Sequence, residues 1–152
     1  KGNSDTWNIP VADTEDICAI FKHNMKVLGF MDIVDILSMT SSQAQKTLQD
    51  DSFSLVFLDA DHRYTPMRED IKSWWEKLKV GGILCGHDCE AYYPNLPEDT
   101  RQLIDEHLEN DYLEGIGCHP GVIRAVYDHF GNNFSIASGT RIWHVKKGDG
   151  LR

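Results

Sequence analysis

The sequence predicts an α/β fold built on a mostly parallel sheet. Apolar runs of strand length alternate with amphipathic helical segments, and the runs ending at Leu58 and Gly86 both lead into clusters of carboxylates and imidazoles. In open parallel sheets the carboxyl ends of neighbouring strands face one crevice, where ligands bind. Asp59, Asp61 and His62 after the first run, and His87 and Asp88 after the second, are therefore expected to face a common site.

The elements follow in order. Between Thr14 and Phe30, Ile17, Ile20, Phe21, Val27 and Leu28 recur at helical spacing, with Asp13 or Thr14 as N-cap and Gly29 closing the helix. Ile33 to Leu37 is predicted as a short β-branched strand, SMTSSQ as a polar turn and Ser42 to Leu48 as a short helix. Leu55 to Leu58 is predicted as a strand. The next helix, Tyr64 to Leu78, places Met67, Ile71, Trp74, Trp75 and Leu78 on one buried face, and the turn Val80-Gly81-Gly82 releases strand Ile83 to Cys85. This βαβ cadence implies right-handed crossovers.

After Asp88 the pattern changes. Residues 90–118 are polar and broken by Pro94 and Pro97, with a helix expected over Glu98 to Glu109, and they read as an insertion at the mouth of the crevice. A helix from Pro120 to Phe130 has proline in its first turn. Strands Phe134 to Ala137 and Arg141 to Val145 then form a hairpin through Ser138-Gly139-Thr140. The 152 residues suit a single domain.

Composition narrows the partners. Fifteen basic against 24 acidic residues give a net charge of −9, which opposes binding to nucleic acid or an anionic membrane. No apolar stretch approaches the ~20 residues that span a bilayer, and KGNSDTWNIP lacks the segments of a secretory signal. Cys18, Cys85, Cys89 and Cys118 are too few and too irregular for a disulfide framework, so reduced thiols and a cytoplasmic location are expected. Oligomerisation stays open.

The strings LVFLDADHRY, KVGGILCGHD and HPGVIRAVYDHF, with the Trp74-Trp75 helix between the first two, resemble the second half of class I S-adenosylmethionine-dependent methyltransferases. The subgroup they resemble is the "methyltransferase 24" type, related to metal-dependent catechol, caffeoyl-CoA and macrolide-sugar O-methyltransferases. The resemblance implies a Rossmann-like sheet, mostly parallel with a C-terminal antiparallel hairpin. The family's first strand and glycine-rich loop have no counterpart here, so the sequence reads as an N-terminally incomplete domain with upstream residues expected in the native protein.

The resemblance also implies roles. Ser4-Asp5-Thr6-Trp7 is similar to the end of the family's second strand, which makes Asp5 a candidate acceptor for the cofactor's ribose hydroxyls and Trp7 a candidate for stacking near adenosine. Ser38, Met39 and Ser41 are candidates for contacting the adenine, or simply form a polar turn with an N-cap. Asp59 matches a position that serves both the cofactor side and a divalent cation, and Asp88 matches the second carboxylate ligand. Mg²⁺ needs only one or two protein carboxylates. The third ligand position falls on His87 or Cys89 depending on register, and either would favour a softer metal.

His62 matches the catalytic base of the macrolide-sugar relatives. Imidazole, with an ordinary pKa near ~6.5, can take a hydroxyl proton at neutral pH. His62 reads equally as a hydrogen-bonded structural histidine. Asp61 reads as a helix cap, Cys85 as core, and His119 as a helix start whose imidazole could face the crevice. The activity implied is methyl transfer from S-adenosylmethionine to a hydroxyl of a small sugar or metabolite. Two alternatives stand beside it: a metal-binding hydroxylase-like relative of the cephalosporin type, and an inactive or truncated module serving in assembly.

Overall fold

The computed structural model describes residues 16–148. The chain divides into two compact units, residues 1–40 and 41–152. In the first, helix α1 (Ile17–Val27) is capped by Asp16, whose carboxylate accepts the Ala19 N–H at 3.0 Å. The expected caps Asp13 and Thr14 lie outside the described residues. Leu28 is the C-cap and Gly29 follows at φ +74, the left-handed conformation that favours glycine after a helix. Ile33 to Leu37, expected as a strand, forms none. β-branched residues favour extended backbone, but a strand needs a hydrogen-bonding neighbour, and none among the described residues pairs with this segment.

The second unit holds the sheet. Helix α2 (Ser41–Thr47) leads to strand β1 (Phe53–Leu58), helix α3 (Tyr64–Lys77) and strand β2 (Leu78–Gly86). A 3₁₀ turn (Tyr93–Asn95), helix α4 (Glu98–Glu106), helix α5 (Pro120–Phe130) and strands β3 (Ser135–Ile136) and β4 (Trp143–Lys146) complete it. Helix α4 stops three residues short of the expected Glu109, at His107, whose Nδ1 lies 2.9 Å from the Leu103 carbonyl.

The sheet order is β1-β2-β4-β3, with β1 and β2 parallel and β4 antiparallel to both β2 and β3. It is the Rossmann-like arrangement expected, a parallel pair extended by an antiparallel hairpin. Among the described residues β1 is an edge strand. The turn read at Val80-Gly81-Gly82 is present inside β2: Phe53 pairs with Leu78 but Leu55 pairs with Ile83, so Lys79 to Gly82 stand out of register.

One face of the sheet carries the core. Val56, Leu58 and Leu84 pack with Met67, Ile71 and Trp75 of α3 and with Val122, Ile123, Val126 and Phe130 of α5, around a fully buried Trp143. Fused apolar burial of this kind supplies most of a small domain's stability. Glycine allows two close approaches within it. A Cβ on Gly86 would sit 2.6 Å from the Leu58 carbonyl oxygen, and one on Gly121 would sit 2.3 Å from the Tyr64 nitrogen and 2.4 Å from the His62 oxygen. The second contact presses the start of α5 onto the His62–Tyr64 turn, which positions the site.

Candidate active site

Asp59 and His87 directly follow the parallel strands β1 and β2, as their sequence positions imply, and the His87 N–H donates to the Leu58 carbonyl at 3.1 Å, tying the two strand ends together. Asp88 adopts φ +61, uncommon for a residue with a side chain. Its carboxylate is buried at the centre of a cluster. Asp88 Oδ2 is 3.2 Å from His62 Nε2, and Oδ1 lies 3.1 Å from His87 Nδ1, 3.6 Å from His119 Nδ1 and 3.8 Å from Arg141 Nη1. One carboxylate thus faces three imidazoles and a guanidinium.

His62 is held from its other side. Its Nδ1 is 2.9 Å from Asp111 Oδ1, while Nε2 is buried and closes no hydrogen bond despite its proximity to Asp88. Asp59, half exposed, reaches only to 3.9 Å of that nitrogen. An imidazole nitrogen of His87 and carboxylate oxygens of Asp59 and Asp88 lie within 4.8 Å of one another, a spacing that suits a shared cation. The set expected from the sequence is therefore assembled.

Cys89, the other option for the third ligand, points elsewhere. It is completely buried in the apolar core, its thiol lies against the Ala91 carbonyl, and burial, with the charge of Glu90, pushes its pKa up to about 12. A thiol held neutral is a poor metal ligand. Asp61 is also turned away: it accepts from the Arg63 backbone and guanidinium, which, against the opposing effect of partial burial, holds its carboxyl below its ordinary value. It does not cap α3, whose N-cap is Arg63.

Asp111 and Glu90 were not singled out in the sequence, and His119 was read as a helix start whose imidazole could face the crevice. Asp111 positions His62. Glu90 accepts both the His119 backbone N–H at 3.1 Å and an interaction from His119 Nδ1 at 2.7 Å. His119, read as a helix start, is indeed the N-cap position of α5, yet its buried ring packs against His62 at 4.5 Å and Tyr112 at 4.9 Å between centroids. Burial pulls its pKa down, but the carboxylates of Glu90, Asp88 and Asp111 outweigh this and leave it raised. Glu90 lies two residues beyond the KVGGILCGHD motif, and His119 precedes a helix-starting proline; those adjacencies were the available signals.

A cleft of about 320 Å³ runs along β1 beside the cluster, lined by Ser41, Phe57, Asp59, Ala60, Asp70 and Trp74. Ser41 accepts from the Trp74 indole N–H at 2.7 Å, so Trp74 sits at a rim, half-buried, whereas Trp75 reaches the core that the helix pattern implied for both. Ser41 and Asp59 thus line one cleft. Ser38 and Met39 belong to the other unit, where Met39 is exposed, and Asp5 and Trp7 lie outside the described residues.

A family model described as a methyltransferase domain matches residues 4–89, from the SDTW segment through the DADH and GHDC clusters. The chain belongs to that methyltransferase family. Two solved structures share the fold: a Corynebacterium glutamicum protein at 16% identity and TM-score 0.58, and a candidate O-methyltransferase from Klebsiella pneumoniae at 13% and 0.55. They align with 84% and 87% of this chain, which spans only 54% and 57% of their respective lengths. No curated protein matches the chain. Among the described residues, no helix of this methyltransferase-family chain is long and apolar enough to cross a membrane.

Proposed function

We propose that the protein containing this chain transfers a methyl group from S-adenosylmethionine to a hydroxyl oxygen of a small sugar or metabolite, in the cytoplasm, with help from a divalent cation. The observation that carries the reading is the convergence of Asp59, His62, His87 and Asp88 at the ends of two parallel strands in a methyltransferase-family chain.

The roles divide by geometry. With Nδ1 engaged by Asp111, His62 would take the acceptor's hydroxyl proton at Nε2, the buried nitrogen beside Asp88. Asp88 lies 3.2 Å away and stabilises the imidazolium that results. Asp59, His87 and Asp88 would hold the cation, which supplies a Lewis acid that lowers the hydroxyl pKa and orients its oxygen. S-adenosylmethionine supplies the electrophilic methyl; Ser41 and Asp59, lining the β1 cleft, would face it, with Asp5, Trp7, Ser38 and Met39 assigned to its ribose and adenine by family resemblance. The polar 90–118 segment would form the acceptor wall.

Calorimetric titration of the protein with S-adenosylmethionine tests the reading. Binding that disappears in Asp5→Ala, together with methyl transfer to hydroxylated acceptors that is lost on chelation and restored by a divalent ion, is the expected result. Absence of binding in the full-length protein would remove it.

A further inference from the structure

His62, Asp88 and His119 compose a second constellation that the proposed chemistry does not use as a unit. An imidazole nitrogen from each histidine and a carboxylate oxygen of Asp88 lie within 4.8 Å of one another, and all three residues are buried or nearly so. Both rings are fixed by carboxylates outside the trio: Asp111 on His62 Nδ1 at 2.9 Å, and Glu90 on His119 through its backbone N–H and Nδ1. Carboxylates that hold a histidine by one nitrogen, fixing its tautomer, are the supports of metal-binding imidazoles.

The buried Nε2 of His62 is the second observation. With Nδ1 engaged by Asp111, Nε2 closes no hydrogen bond although an Asp88 oxygen lies 3.2 Å away. Ligand atoms about 2.1 Å from a shared ion stand about 3.0–3.4 Å apart. The His62–Asp88 distance falls in that range.

We propose that His62, Asp88 and His119 form a site for a transition-metal dication such as Zn²⁺, Co²⁺ or Fe²⁺, separate from the Asp59–His87–Asp88 position and mutually exclusive with it through their shared Asp88. Two imidazoles and one carboxylate suit such ions, whereas Mg²⁺ prefers oxygen ligands and water. A metal on His62 Nε2 occupies the lone pair that would take the acceptor's proton. On the methyltransferase reading, filling this site therefore inhibits the enzyme, while a cation at Asp59, His87 and Asp88 leaves His62 free.

Titration of the protein with Co²⁺, followed by calorimetry and visible absorption in a large excess of Mg²⁺, tests the site without any methyl transfer. One Co²⁺ should bind with the spectrum of nitrogen and oxygen ligation, about 10–100-fold more weakly in Asp111→Asn and more weakly still in His119→Ala, with Asp59→Asn and His87→Ala close to the parent. Should the buried His119→Ala variant fail to fold, the exposed-side change Asp111→Asn decides. The proposal is overturned if no Co²⁺ binds, if Mg²⁺ displaces it, if Asp111→Asn leaves affinity unchanged, or if His87→Ala abolishes binding. Loss of S-adenosylmethionine binding would strike the methyltransferase reading alone and leave this site standing.

Discussion

His62 Nε2 lies 3.2 Å from Asp88 Oδ2, although the two residues come from the ends of different strands and His62's other nitrogen is committed to Asp111. On the proposed reading, the pair joins a proton acceptor to the group that stabilises its charged form. If methyl transfer runs through it, His62→Ala should lower kcat by about 10²–10⁴-fold with little change in the KM for S-adenosylmethionine. Asp88→Asn should cost at least as much, because it removes a cation ligand as well. Steady-state methyl transfer from labelled S-adenosylmethionine checks both; a full-rate His62→Ala variant would show the histidine to be structural.

Gly121 links the fold to that pair. Its missing side chain lets the first turn of α5 touch the backbone of His62, Arg63 and Tyr64. Gly121→Ala forces backbone against backbone, and neither helix nor turn can yield by rotating a side chain. The expected destabilisation is about 1–3 kcal/mol, read as a lower midpoint in urea unfolding, and displacement of the His62 turn should reduce activity further than stability alone explains. By contrast, Gly115→Ala meets nothing within 4 Å and should be close to neutral.

The same contact marks where the sequence was legible. Helices α3 and α5 were readable because Met67, Ile71 and Trp75, and Val122, Val126 and Phe130, repeat at the helical period and do become buried. Asp59, His62, His87 and Asp88 were readable because strand ends and family motifs both placed them. Ile33 to Leu37 misled, since its β-branched run speaks only to backbone preference and not to the neighbour a strand requires. Asp111 and Glu90 were hidden, and His119 only partly read, for a different reason. They border a polar segment without period, and long-range contacts position it: the Tyr64 N–H donates to the Leu108 carbonyl at 2.9 Å, and Leu113 bridges to Cys118.

The thiols offer a check on the core independent of activity. Burial, helped by the charge of Glu90, pushes Cys89 up to about 12 and Cys118 up to about 11, while Cys18 is partly exposed. Since the thiolate is the reactive form, a disulfide reagent at mildly alkaline pH should modify Cys18 rapidly in the native protein. Cys89 and Cys118 should react only on unfolding. Mass spectrometry of the time course reads this directly, and fast native labelling of Cys89 would contradict its place in the core.

Stability against pH should reveal two histidines acting in opposite senses. His129 is shifted below its ordinary 6.5, first by burial and then by the charge of Lys72, as its ring packs on Trp75 and Phe130. The unfolded chain therefore takes up that proton first, so the contribution of His129 is present above about 6.5 and is lost as pH falls through its depressed folded value. For His119, burial lowers the value but Glu90, Asp88 and Asp111 raise it further, to a net increase over 6.5. Its contribution is full below about 6.5 and is lost as pH rises through the raised folded value. Urea unfolding between about pH 5 and pH 9 should show the acid-side loss flattened in His129→Gln and the alkaline-side loss flattened in His119→Gln. Unfolding curves of His119→Gln that keep the parent's alkaline slope would show that the carboxylates around His119 do not favour its charged form.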